Sequence, residues 1–439
     1  MWFKNRLIHL HHIFFILLIT IQQLNGIAQD ITYAKKVVDT LASEKMKGRG
    51  YVQSGSTLAA TYISNEFKRC GLVPFSKNYF QAFTTPVNTF PGNMDVCINS
   101  TQLKPGIDFL VNAESPGISG TFNTVQLKAD ELLNPEQFMR KIQSAVKKFI
   151  VIEAYDKKKH NKEENKKIRE AIEYLKSNIK NPIAGTVLLT KDKLTWDAST
   201  VQYSKPCITI KTDSLSPIIE TITLNIKSKF IKNFKLQNII GHVEGKRNDS
   251  LIVLTAHYDH LGMMGDKTMF PGANDNASGM AMLLNLANYY SQHQPEYTVV
   301  FIAFSGEELG LIGSNYFTEH PAFELKKIKF LINFDLAGTG DEGIQVVNGS
   351  IFKKQFDELS KINEQQHLLP QVKIRGEACN SDHCMFYQKK VPCFFIYTLG
   401  GIKAYHDIYD KAETLPLTEF EDYFKLMVEF VNNLSSGQN

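Results

Sequence analysis

Residues 251–262 read LIVLTAHYDHLG, so an apolar run passes directly into two histidines and an aspartate. An apolar run of this kind is typical of a strand that is buried on both faces of a parallel sheet. A pattern typical of a buried helix spans 277–292. Similar apolar runs recur at 238–241, 298–304, 330–334 and 392–397. We therefore predict an α/β fold from about residue 236 onward, with a mostly parallel central sheet flanked by helices.

Several of these apolar runs end in side chains that bind metal ions or transfer protons. Because ligands of such sheets bind at the carboxyl ends of the strands, we expect these side chains to converge at one edge. The candidates are His257, Asp275, Glu308, Asp335 and His406. Imidazole and carboxylate ligands together favour Zn²⁺ over Mg²⁺ or Ca²⁺, which prefer oxygen ligands. Five candidates exceed the four ligands of one tetrahedral zinc, which indicates two ions that share a bridging carboxylate.

Five short motifs occur in a fixed order along this half of the chain. They are HYDHLG at 257–262, PGANDNASG at 271–279, SGEELG at 305–310, NFDLAG at 333–338 and YH at 405–406. Together they resemble the co-catalytic di-zinc aminopeptidase family, whose relatives include secreted bacterial leucyl aminopeptidases, glutamate carboxypeptidase and, more distantly, the glutaminyl cyclases. The resemblance covers about residues 235–439 and extends weakly to KGRG at 47–50. It implies a zinc-peptidase fold of the phosphorylase/hydrolase-like type.

The resemblance implies two zinc ions per chain and a role for each candidate. His257 would bind one ion, Asp275 would bridge both, Glu308 and Asp335 would each bind one, and His406 would complete the second site. Glu307 would be the general base that takes a proton from water. An exchange of the roles of Glu307 and Glu308 stays open.

Further residues near these motifs match supporting positions of the family. The resemblance implies that Asp259 accepts the other ring N–H of His257, and that the Tyr405 hydroxyl stabilises an oxyanion. We expect His260 to have a structural role in its turn, and residues 381–383 to shape the pocket. After His406 the family often continues Thr-Pro and then Asp, whereas residues 407–410 read DIYD. The geometry of that loop is therefore open.

Composition and charge narrow the class of protein. The chain has 439 residues, of which 43% are hydrophobic and 21% are charged, and this balance excludes collagen-like, disordered and multi-span membrane chains. The net charge is +4, and residues 1–28 contribute Lys4 and Arg6 but no acid, so about +2 remains without them. So small a charge argues against a nucleic-acid partner.

Residues 1–28 have the layout of a secretory signal peptide. Lys4 and Arg6 precede an apolar run of about ten residues, and small residues precede a cleavage point before Gln29. The run is too short for a membrane anchor, which needs about 20 apolar residues. We therefore expect an exported protein, periplasmic or secreted, with no stable membrane anchor after cleavage.

The remaining chain is predicted to have three parts. Residues 29–75 form two helices that pack on the catalytic domain, 76–235 form an inserted accessory α+β domain, and 236–439 form the catalytic domain. The second of the two helices is predicted from an apolar stripe of Leu58, Tyr62, Ile63 and Phe67. The insert shows short strand-like runs and one charged helix over about 161–179. Export makes the six cysteines candidates for disulfides, and Cys379 and Cys384 are close enough in sequence to pair across a loop.

These observations favour an exported zinc aminopeptidase that acts on peptides with a free N-terminus. Two alternatives remain: a glutaminyl cyclase-like acyltransferase with one zinc, and a non-catalytic peptide-binding relative. The full set of ligand candidates and the presence of Glu307 favour the hydrolase. The preferred side chain, the oligomeric state and the role of the insert are not readable from the sequence.

Overall fold

A computed structural model describes residues 31–214 and 218–436 of the chain. The predicted leader at 1–28 lies outside these described residues. Within them the chain forms two eight-stranded sheets and a separate two-stranded ribbon of Gly262–Met264 and Thr268–Phe270. The predicted α/β class is confirmed.

The first sheet carries the strands that the apolar runs predict. Its four central strands are mutually parallel, and antiparallel neighbours lie on both sides of them. In spatial order the strands are Phe80–Thr89, Lys229–Val243, Tyr297–Phe304, Arg247–His257, Ile328–Phe334, Cys393–Thr398, Ile344–Val347 and Val372–Ile374. The carboxyl ends of the central strands therefore meet at one edge of the sheet.

Helices cover both faces of this sheet, because successive residues of its central strands point to opposite sides. Ile252 and Leu254 pack with one set of helices, whereas Val253 packs with the other set. The first set is Ile31–Leu41, Gly55–Arg69, Gly279–Gln292, Lys353–Gln366 and Phe420–Ser436, and the second is Ile312–Glu319 and His383–Gln388.

The two N-terminal helices, Ile31–Leu41 and Gly55–Arg69, pack on the catalytic sheet. The predicted stripe of the second helix is partly wrong, since Leu58 is 43% exposed. Small residues take its place, and Ala59 and Ala60 are buried together with Ile63 and Phe67. Close packing against the sheet selects these short side chains, whereas the predicted stripe contains only large apolar residues.

The predicted accessory block at 76–235 contains the second sheet, but the boundaries differ. Its strand Phe80–Thr89 pairs with Lys229–Val243 and so belongs to the first sheet. The strands of the second sheet lie between Met94 and Ile226 and are, in spatial order, Thr101–Gln102, Met94–Ile98, Thr221–Ile226, Ile118–Leu127, Phe149–Ile152, Gly185–Thr190, Cys207–Lys211 and Phe109–Val111. The strand Phe80–Thr89 lies at the edge of the first sheet and contains many polar residues, so its sequence lacks the apolar run that marks the central strands.

The two faces of the second sheet have different neighbours. One face is covered by the helices Ala129–Leu133, Pro135–Ser144 and Lys162–Ser177, the last of which is the predicted charged helix. The opposite face forms a core that includes Leu261, Met264 and Phe270 of the catalytic part. The insert is therefore docked through a shared apolar core rather than joined by a free linker. Within the described residues, every helix is too short or too polar to cross a membrane.

Candidate metal centre

The five predicted ligand candidates lie together at the carboxyl edge of the first sheet. His257 ends the strand Arg247–His257, and Asp275 lies in the short π-helical segment Ala273–Ser278 that leads into the next helix. Glu308 and Asp335 follow the strands Tyr297–Phe304 and Ile328–Phe334, and His406 lies in the loop after Cys393–Thr398. Parallel strand order brings them together although almost 150 residues separate the first from the last.

Asp275 lies at the centre of this group, and its two carboxylate oxygens face different histidines. Oδ1 lies 3.4 Å from Nε2 of His257, and Oδ2 lies 3.1 Å from Nε2 of His406. Nε2 of His257 also lies 3.3 Å from Oδ1 of Asp335, and Nε2 of His406 lies 3.2 Å from Oε2 of Glu308. The group therefore divides into two halves that share only Asp275.

These distances fit zinc in each half. Ligand atoms at about 2.0–2.1 Å from a tetrahedral zinc lie about 3.3 Å from one another, close to the separations of 3.1–3.4 Å found here. The donor set of imidazole nitrogens and carboxylate oxygens is also one that zinc accepts. His257, Asp275 and Asp335 could hold one ion, and His406, Asp275 and Glu308 could hold the other.

The electrostatic environment separates the two adjacent glutamates. Burial raises the pKa of the Glu307 carboxyl well above its usual value. Burial also opposes ionisation of Glu308, but His406 and His260 outweigh it and lower the pKa of that carboxyl to about 2. Neighbouring carboxyls with pKa values shifted in opposite directions are typical of sites where one acts as a base and the other stays ionised.

A chain of side-chain hydrogen bonds orients Asp335. The Ser381 hydroxyl donates to Oδ2 of Asp335 at 2.8 Å, and Asn333 donates to Ser381 at 2.7 Å. Thr255 in turn donates to Asn333 at 2.7 Å. Oδ1 of Asp335 is left facing His257. The segment 381–383 thus contacts a ligand candidate directly, which is more specific than the predicted role in shaping the pocket.

Among the described residues, the Asp259 carboxylate does not form the predicted hydrogen bond with the His257 ring. The Nδ1 atom of His257 lies 3.2 Å from the backbone carbonyl of Asp259 but 3.8 Å from its carboxylate, which is too far for a hydrogen bond. That carboxylate instead accepts from the Tyr51 hydroxyl at 2.7 Å and from the backbone N–H of Glu307 at 3.2 Å. Asp259 therefore holds the Glu307 segment, while its carbonyl orients His257.

His260 contacts a ligand candidate directly, whereas the sequence predicts only a structural role for it in the turn. It is fully buried, and its Nδ1 atom lies 2.6 Å from Oε1 of Glu308, which leaves Oε2 directed at His406. Gly272 allows this arrangement, because its φ of +61° is left-handed and a Cβ there would lie 2.4 Å from the His260 ring.

Tyr405 lies against His406 at the mouth of the site. The two rings are stacked with centroids 4.1 Å apart, and 46% of the tyrosine surface is exposed. Burial raises the pKa of its hydroxyl above the usual value, so the hydroxyl keeps its proton at neutral pH. It can therefore act as a hydrogen-bond donor.

Arg49 supports the Asp275 segment from behind, a role that the sequence motifs do not indicate. The side chain is fully buried and donates to the carbonyls of Leu41, Tyr258, Pro271, Gly272 and Asp275 at 2.7–3.3 Å. All five guanidinium N–H groups are used, so the Asp275 segment is held from one side. A single arginine between Gly48 and Gly50 is the signal that could have found it.

Asp410 holds the same segment from the other side. Its buried carboxylate accepts the backbone N–H groups of Asn274 at 2.8 Å and Asp275 at 3.0 Å. The aspartate of the divergent DIYD sequence thus has a defined contact with the segment that carries the central carboxylate. The sequence leaves the geometry of the loop after His406 open, and these two hydrogen bonds of Asp410 define how that loop contacts the Asp275 segment.

Residues 238–431 match the model of Peptidase family M28. Aminopeptidase YwaD of Bacillus subtilis (strain 168) is 34% identical over 140 residues, which cover 31% of this chain and 30% of that relative. A probable zinc metalloprotease of Pyrenophora tritici-repentis (strain Pt-1C-BFP) is 32% identical over 130 residues, which cover 28% of this chain and 27% of that relative. The matched stretch spans less than a third of the length of either relative.

Two solved structures share the fold over nearly the whole chain. BSAP, a zinc aminopeptidase from Bacillus subtilis, has a TM-score of 0.66 at 18% identity and covers 94% of this chain and 95% of that chain. A peptidase M28 precursor from Shewanella amazonensis SB2B has a TM-score of 0.66 at 17% identity, with coverage of 94% and 98%. The fold likeness extends through the insert, and the family resemblance predicted from the motifs is confirmed by the family match.

We predict that Arg49→Met lowers the free energy of unfolding by about 3 kcal/mol or more, because several buried carbonyls lose their donors. Denaturant unfolding in the presence of a chelator measures this without a contribution from bound metal. Arg140→Met is the control, since Arg140 lies on the insert surface with one exposed ion pair and is expected to change stability by less than about 1 kcal/mol. Equal losses in both variants would contradict the supporting role of Arg49.

Proposed function

Residues 238–431 match the model of Peptidase family M28, and from this match we propose that the protein is a zinc-dependent aminopeptidase. It hydrolyses the N-terminal peptide bond of substrates with a free amino terminus. The observation that carries the proposal is the division of the Asp275 carboxylate between His257 and His406, at 3.4 and 3.1 Å. A carboxylate shared in this way would serve as the bridging ligand of a two-metal hydrolytic site.

The ligand assignment follows the two halves of the site. His257 and Asp335 would hold one ion, His406 and Glu308 would hold the other, and Asp275 would be common to both. Two zinc ions bound there would supply an activated water at neutral pH and would polarise the carbonyl of the scissile bond. The names of two relatives, an aminopeptidase and a probable zinc metalloprotease, agree with this chemistry.

Glu307 is the general base in this proposal, and its contacts favour it over Glu308. One oxygen of Glu308 is engaged by His260 and the other faces His406, so both oxygens of that carboxylate already have partners on the side of the proposed metal ligands. Among residues 31–214 and 218–436 no hydrogen bond to the Glu307 carboxylate is found, and its backbone N–H is held by Asp259. The Glu307 carboxylate is therefore free to take a proton from water and to pass it to the leaving amine.

Two further side chains complete the proposed mechanism. The Tyr405 hydroxyl, which remains protonated, donates a hydrogen bond to the oxyanion that develops on the scissile carbonyl. Asp259 keeps Glu307 in place through its contacts with the Glu307 backbone and the Tyr51 hydroxyl. Asp259 and Tyr405 thus act on different partners, the first on the base and the second on the substrate.

The proposed site of action is outside the cytoplasm, either in a periplasm or in the medium. The charged start, short apolar run and small residues of 1–28 support export. The disulfide between Cys379 and Cys384 supports it independently, because such bonds persist in oxidising compartments. This disulfide closes the loop that contains Ser381, the residue that orients Asp335.

We predict that Glu307→Gln lowers kcat by a factor of about 10²–10⁴ while the zinc content stays that of the wild type. Steady-state kinetics on a peptide with a free N-terminus and elemental analysis of zinc measure the two quantities. Glu319→Gln is the control, since that carboxylate is exposed and pairs only with Lys389. Loss of zinc from Glu307→Gln, with zinc retained and turnover lost in Glu308→Gln, would reverse the two roles.

A mixed peptide pool tests the reaction itself. We predict that the zinc-loaded protein removes single N-terminal residues from free peptides and leaves N-terminally acetylated copies intact. In the presence of a chelator we expect no cleavage of either kind of peptide. Mass spectrometry of the pool also identifies the preferred side chain. Loss of ammonia or water from N-terminal Gln or Glu peptides without cleavage would instead indicate a cyclase, and an unchanged pool would contradict the enzyme.

A further inference from the structure

The loop that carries His406 is held by a segment of the insert. The segment Lys193–Asp197 follows the strand Gly185–Thr190 of the second sheet. The backbone N–H of Trp196 donates to the His406 carbonyl at 2.8 Å. The ammonium group of Lys193 donates to the carbonyls of Lys403 at 2.6 Å and Tyr405 at 3.1 Å. These three hydrogen bonds connect the backbone of the loop that carries His406 to the insert.

Two carboxylates complete this connection. Lys193 forms an ion pair of 2.5 Å with Asp407, whose side chain is only 5% exposed. Asp197 lies with Oδ1 at 3.4 Å from Nδ1 of His406. Asp407 is the first residue of the DIYD stretch in which the chain departs from the family pattern, and its partner lies outside the family match at 238–431.

The segment Lys193–Asp197 is itself fixed between the two parts of the chain. Trp196 is buried, and its indole N–H donates to the carbonyl of Val111 in the second sheet at 2.7 Å. Its ring stacks on Phe270 of the catalytic part, with centroids 4.7 Å apart. The contacts to the His406 loop therefore come from a rigid support.

The orientation of His406 requires such a support. Its backbone has a φ of +52°, which a residue with a side chain adopts only where the surroundings enforce it. Its Nε2 atom faces Asp275 and Glu308, so Nδ1 is the ring nitrogen that remains to orient the imidazole. Asp197 is the acceptor that the described residues provide for Nδ1. A carboxylate on the far nitrogen of a ligating histidine fixes its tautomer and its direction.

We propose that the insert segment Lys193–Asp197 positions His406, so that the insert sets the affinity of one of the two zinc ions. Asp197 and Lys193 are positioning residues, since they act through His406 and its loop. The inference rests on the proposed two-ion site. It gives the second sheet a direct part in building the metal centre.

The test compares zinc binding by three variants of the full chain with that of the wild type. Asp197→Ala removes the acceptor, Asp197→Asn keeps an amide oxygen that can accept from Nδ1, and Asp192→Ala removes a neighbouring exposed acid without a contact to His406. Competition with a chelator gives the dissociation constant of each ion. The visible spectrum of the Co²⁺-substituted protein reports the geometry of each site separately.

In Asp197→Ala we expect one ion to bind about 10–100-fold more weakly and the other to be unchanged, with an altered Co²⁺ spectrum. Asp197→Asn should lie closer to the wild type than Asp197→Ala does, and Asp192→Ala should match the wild type. The metal-free variants should unfold at the same temperature as the wild type, because the Asp197 side chain is 76% exposed.

Two negative outcomes have different meanings. A wild-type chain that binds one ion would contradict the proposed two-ion site. A wild-type chain that binds two ions, with both affinities in Asp197→Ala within about twofold of those in Asp192→Ala, would overturn the role of the insert alone.

Discussion

The Asp275 carboxylate is the group on which the rest of the structure depends. It is buried with Glu308 and Asp335 beside the imidazoles of His257, His260 and His406, and buried carboxylates need compensating positive charge. Two divalent cations would supply that charge, and the separations of the ligand atoms already fit them. The fold then has to hold one segment of chain in place. Arg49 and Asp410 do so from opposite sides through backbone carbonyls and N–H groups.

The catalytic sheet and most of the site could be predicted because their signals are local. Apolar runs mark the buried strands, and polar motifs mark the strand ends where parallel order brings side chains together. The contacts of Arg49 could not be predicted in this way, since Gly48 and Gly50 mark an unusual position in the chain but do not show that five carbonyls surround the side chain. The Asp259 contact was wrong for a similar reason: motif spacing does not determine whether a carboxylate or a carbonyl reaches His257. Likewise, Leu58 was predicted to be buried but is exposed, because Ala59 and Ala60 take the positions that pack against the sheet.

The insert is a structural partner of the catalytic part. Its boundaries were misjudged because the strand Phe80–Thr89 belongs to one sheet while it precedes the strands of the other. Phe270 and Trp196 stack across the junction, so the core of the second sheet includes the loop after His257. Relative motion of the two parts would separate Trp196 from the His406 carbonyl. Docking and metal-site geometry are therefore linked.

The most direct measurement is anomalous diffraction at the zinc absorption edge from crystals of the zinc-loaded protein. The account predicts two zinc peaks about 3.5–4 Å apart. One peak should lie between His257 and Asp335, the other between His406 and Glu308, with the Asp275 carboxylate between the two. A single peak, or a second peak that does not contact Asp275, would contradict the shared carboxylate and with it the proposed mechanism.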